Sequence, residues 1–76
     1  MRHDGAELRR QRIEEVAHAV MSSLNKNSGE IPLGKTIAAL ELTGLTKEKI
    51  MEYLEILENN DRFTLDKKND KIIKVE

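Results

Sequence analysis

Between Leu45 and Val75 a capped amphipathic helix runs straight into an alternating hairpin with a lysine-rich turn, and no other stretch constrains the fold as much. Thr46 stands where a hydroxyl caps a helix start. Ile50, Tyr53, Leu54 and Leu57 then follow at the spacing of one buried stripe. Asn59-Asn60-Asp61 ends that helix. Phe63 and Leu65 alternate with polar neighbours, Lys67-Lys68-Asn69-Asp70 supplies a polar turn, and Ile73 with Val75 resumes the alternation, which predicts a two-stranded hairpin.

Upstream, Ile13, Val16, Ala17, Val20, Met21 and Leu24 predict a first helix that starts near Ala6 to Leu8 and stops in Asn25-Lys26-Asn27-Ser28-Gly29. Residues 1–7 are expected as a flexible tail and residues 8–76 as one domain. Glu30 to Leu33 contains the only proline, Pro32, which cannot donate to a ladder and suits an edge strand or an extended connector. Lys35 to Leu42 reads as a short second helix with Ile37, Ala38, Leu40 and Leu42 turned inward, and Gly44 provides a left-handed stop.

At 76 residues the chain has room for one modest core, because a chain this short buries only about 60% of its extended surface. Charged residues make up 36% of it, yet the formal net charge is -1, so no global attraction to nucleic acid or membrane follows. The absence of cysteine excludes disulfides and thiolate metal sites and favours a reducing compartment. With no apolar run of signal-peptide or membrane-spanning length, a cytoplasmic protein with no membrane partner is expected.

The order helix, short strand, helix, helix, strand, strand, and especially Leu45-Thr46-Lys47-Glu48-Lys49-Ile50 leading through Leu54 and Leu57 to Arg62-Phe63, resembles the winged helix-turn-helix superfamily. The likeness is nearest to small archaeal winged helices, of the transcription-regulator type or like the domain that ends the archaeal minichromosome maintenance helicase. It covers residues 8 to 76 by element order. It implies an α+β fold: a three-helix core with a short strand and a C-terminal β-hairpin wing. It also implies a third helix that enters a DNA groove and a wing that touches phosphates, although a minority of the superfamily binds proteins instead.

Helix 3 departs from that pattern. At about 100 degrees per residue, Glu48, Glu52 and Glu55 fall together opposite the buried stripe, where DNA readers usually carry cationic or amide side chains. Such a ridge among phosphates costs Coulomb energy that Lys47 and Lys49 offset only in part. In the wing the signs reverse, because Arg62, Lys67, Lys68, Lys71 and Lys74 outnumber the acids, with Lys67, Lys68 and Lys71 converging at the turn. Lysines also serve to guard strand edges, so the wing has a structural reading beside the phosphate-binding one.

Gly29-Glu30-Ile31-Pro32-Leu33-Gly34-Lys35-Thr36 matches the phosphate-loop string G-x-x-x-x-G-K-[ST], but no buried strand precedes it and no later strand supplies a metal-binding aspartate. The expected structure there is a loop, a short strand and a helix start. Lys35, Thr36 and the N–H groups at that start remain candidates for a nucleic-acid phosphate. Arg9, Arg10 and Arg12 oppose the dipole of helix 1 and call for a compensating partner, Arg10 with Glu14 offering an i, i+4 pair. Neither His18, His3, Ser22 nor Ser23 has companions for metal binding or nucleophilic chemistry, so neither catalysis nor a cofactor is expected.

The sequence thus points to a DNA-binding module directed at the backbone, with Lys35, Thr36, Thr46, Lys47, Lys49, Lys67, Lys68 and Lys71 as contact residues. The alternative is a protein-binding winged helix using Met51, Glu52, Glu55 and Ile56. Either is expected as a monomer or a homodimer.

Overall fold

The structure, a computed structural model, describes the backbone of residues 4–75 and the side chains of residues 8–75. Its elements are α1 (Asp4–Lys26), β1 (Glu30–Pro32), α2 (Leu33–Glu41), α3 (Lys47–Asn59), β2 (Phe63–Asp66) and β3 (Lys71–Lys74). The helix expected from Ala6 to Leu8 begins at Asp4; the side chains of the expected tail lie outside the described residues. β3 lies between β1 and β2 in a three-stranded antiparallel sheet. This small α+β architecture is compatible with a winged-helix-like arrangement.

One core joins every element. Val16, Ala17, Val20 and Leu24 of α1 meet Ile50, Tyr53, Leu54 and Leu57 of α3, and Phe63, Leu65 and Ile72 of the hairpin close the far side. The stripes expected on helices 1 and 3 are therefore the buried ones. Thr46 caps α3 as its spacing suggests, its hydroxyl oxygen accepting from the Lys49 N–H at 3.1 Å. At the other end Asp61 adopts a left-handed φ of 61°, and the Arg62 N–H donates to the Leu57 carbonyl at 3.0 Å, a Schellman closure that turns β2 back along the helix. Gly44, at φ 100°, supplies the left-handed stop between α2 and α3.

Two expectations are corrected. α2 starts at Leu33, not Lys35, and its stripe is Leu33, Ile37 and Leu40, which leaves Ala38 and Leu42 in solvent. On β3 the buried residue is Ile72, whereas Ile73 is half-buried and Val75 exposed. Ile72 sits opposite Leu65 on β2 and Ile31 on β1, all three on one face of the sheet. A shift of one residue along a strand moves every side chain to the other face, so pairing decides between the two isoleucines.

Both sheet edges are closed to further strands. β1 is three residues long and holds Pro32, as expected for an edge. On β2 the outward-facing N–H of Leu65 donates to the Glu58 carboxylate at 3.0 Å, so α3 covers that edge with a side chain.

Candidate nucleic-acid interface

α3 lies between α1 and the hairpin, and its outward carboxylates are met from both sides. On the wing side Lys67 Nζ donates to Glu55 at 2.8 Å, and this bond, with the Coulomb attraction of Glu55, raises the lysine pKa above its ordinary value. On the α1 side Arg9 pairs with Glu52, and Lys49 approaches the other oxygen of that carboxylate at 3.8 Å. With α1 starting at Asp4, Arg9 lies in its second turn, beyond the reach of the helix dipole, and its compensating partner is Glu52 of α3. The offered Arg10 and Glu14 pair is replaced by one from Arg62 to Glu14 at 3.1 Å, which anchors the start of β2 to α1.

The acidic ridge is therefore divided. Glu52 belongs to the α1 side and Glu55 to the wing side, leaving Glu48 as the member with no ion-pair partner among the described residues. Arg9 and Lys49 stand at Glu52 and Lys67 at Glu55, so tertiary structure turns an acidic face into one of mixed sign. All these side chains are substantially exposed, and salt screens each pair, so a phosphate can compete for their cations.

The wing turn is built by its own acids. Asp66 accepts from the Asn69 side-chain amide at 2.9 Å and from the Asn69 N–H at 3.2 Å, and these bonds hold its carboxyl below the usual range. Asp70, left-handed at φ 57°, turns its carbonyl toward the Leu33 N–H and its carboxylate toward the Gly34 N–H, both at 2.9 Å. It caps α2 from the opposite end of the chain. The start of α2, expected as a phosphate contact, thus already holds a carboxylate, and the phosphate-loop string is, as read, a turn, an edge strand and a helix start.

The expected contact residues separate into groups. Lys47, Lys49 and Thr46 form the first turn of α3, with the Thr46 hydroxyl committed to capping. Lys67 and Lys68 belong to the wing, but the expected convergence with Lys71 does not occur, because Lys67 turns to α3 and Lys71 to Glu30 of β1 at 3.1 Å. Lys68 has no ion-pair partner among the described residues. Lys35 and Thr36 line a cleft between α1 and α2 with Ala19 and Ser23, whereas Lys47 and Asp70 line a different depression between α2 and α3. The Thr36 hydroxyl donates to the Pro32 carbonyl at 2.7 Å.

Of the alternative face, Met51 and Ile56 are half-buried against the core, about 140 degrees apart around α3 at its usual helical advance. They flank Glu52 and Glu55 without forming one surface. Sequence reasoning missed Arg9 as the partner of Glu52, Asp70 as the cap of α2 and Glu58 as the cover of β2. Only Arg9 left a trace, in the need for a partner read from its expected place at the start of helix 1. Among the described residues no cluster of metal-binding side chains occurs, and no helix is long and apolar enough to cross a membrane. Compared with protein-family models, curated proteins and solved structures, the chain matches none.

Proposed function

We propose that this chain is a winged-helix-type module that contacts duplex DNA through its phosphate backbone, using the first turn of α3 and the tip of the wing. The element order and the β1-β3-β2 sheet support that reading. The observation that carries it is the internal pairing of Glu52 with Arg9 and of Glu55 with Lys67. These pairs relieve much of the repulsion that an acidic helix would meet at a phosphate surface. Among the described residues Lys47 on α3 and Lys68 on the wing then have no ion-pair partner, Lys49 is held only loosely, and Lys67 can exchange Glu55 for a phosphate oxygen. With no arginine on the outward face of α3, and Asn59 in its last turn as the one amide there, contacts position the module on the duplex without reading bases extensively. The protein-binding alternative loses ground because its two apolar residues are separated around the helix and its acids are engaged.

Titration of labelled duplex DNA at two salt concentrations tests this reading. The expected result is binding at low salt that weakens as salt rises, with Lys47→Glu and Lys68→Glu each reducing affinity and each flattening the salt dependence by about one unit of slope per lost phosphate contact. No binding at tens of micromolar protein in low salt would overturn it, since non-specific binders reach about that range even at physiological salt.

A further inference from the structure

α1 and α2 both pack on α3, but few contacts join them directly, and the cleft left between them is open to solvent. It has a volume of about 250 Å³ and is lined by small side chains (Ala19, Ser23, Thr36, Ala39) together with Leu40 and Pro32. A cavity of about 150 Å³ already accepts a benzene-sized group, so this space admits an aliphatic side chain. At the C-terminal end of α2, Leu42 is 89% exposed, the most exposed large apolar side chain among the described residues. By the usual helical advance Leu42 lies about 60 degrees from Ala39, so it projects into solvent beside the cleft and does not fill the cleft of its own molecule.

We infer that the α1–α2 cleft is a self-association site, in which the Glu41-Leu42 end of α2 from a second copy of this chain seats against the cleft while its own cleft receives the first. Charge identifies the occupant. Lys35 stands at the cleft in the first turn of α2 and Glu41 in its last turn, and neither has an ion-pair partner among the described residues. Each is also at the unfavourable end of the helix dipole. Antiparallel approach of two α2 helices brings the Lys35 end of one to the Glu41 end of the other and compensates both. Because every copy carries both the projecting leucine and the cleft, one two-fold axis satisfies both contacts and closes the assembly at two. A nine-residue helix offers less surface than the roughly 800 Å² per partner of a stable interface, so the dimer is weak, with a Kd on the order of 100 µM.

Sedimentation equilibrium of the full chain from about 10 µM to about 1 mM tests this inference across the expected Kd. A monomer–dimer equilibrium is expected, with Leu42→Glu monomeric throughout and unchanged in circular dichroism. Lys35→Glu and Glu41→Lys are each expected to weaken the dimer roughly tenfold, and the combined exchange to restore it. Both single exchanges improve the match to the helix dipole, so lost association without lost stability separates this effect from misfolding. A wild-type chain that stays monomeric at about 1 mM, a dimer that survives Leu42→Glu, or a double exchange that fails to restore association would overturn the proposal. None of these outcomes depends on whether the chain binds DNA.

Discussion

Ile72 and Ile73 are neighbours of identical chemistry to which the sheet assigns different work. Ile72 is fully buried between Leu65 and Ile31, while Ile73 is half-buried beside Asn25 and Gly29 at the sheet rim. Ile72→Ala should cost about 2–5 kcal/mol, the range for deleting a packed aliphatic side chain, whereas Ile73→Ala should cost about 1 kcal/mol or less. Urea unfolding of the two variants checks this; equal losses would mean that β3 pairs one residue out of register. In the sequence, Ile73 and Val75 form an alternating pair as good as any that includes Ile72. Periodicity alone could not choose, because the choice belongs to the partners across the ladder. Tyr53 and Phe63 carried no such ambiguity, each having one available face, and both are buried.

At the scale of elements, α2 depends on a residue far from it in the chain. Its N-cap is Pro32, which makes no side-chain cap, and Asp70 supplies the missing acceptors across a separation of 36 residues. Asp70→Ala removes the carboxylate and also strains a left-handed residue, so a loss of about 1–2 kcal/mol is expected. Asp70→Asn keeps an acceptor and tolerates that backbone, and it should lose less. Chemical denaturation of both variants measures the difference; an Asp70→Ala variant as stable as wild type would show that water caps α2 equally well. The Thr46 cap was legible because its hydroxyl and the Lys49 N–H are three residues apart. Asp70 carried no local sign of its target, since the hairpin must first fold back over β1 to bring it there.

Across the whole molecule a single core is shared by the three helices and the sheet, so the loss of any element exposes the buried faces of the others. Unfolding should be one transition, with backbone circular dichroism and the fluorescence of Tyr53, the only tyrosine, giving the same urea midpoint. Separate midpoints would divide the hairpin from the helices. The exposed ion pairs that cross between elements contribute little to that stability, about 0–1 kcal/mol each, and their larger effect is on the surface. Arg9 and Lys67 approach α3 from opposite sides and make the face it presents one of mixed sign. By itself the sequence determined the order of the helices and strands, which residues form the stripes of α1 and α3, and where α3 is capped, because these depend on spacing within a few residues. Only the tertiary structure decided which isoleucine of β3 is buried, what caps α2, that Lys35 belongs to a cleft away from Lys47, and that Glu52 and Glu55 of α3 are paired. Each of those outcomes joins residues far apart in the chain, and the packing of one element on another sets them where local periodicity carries no information.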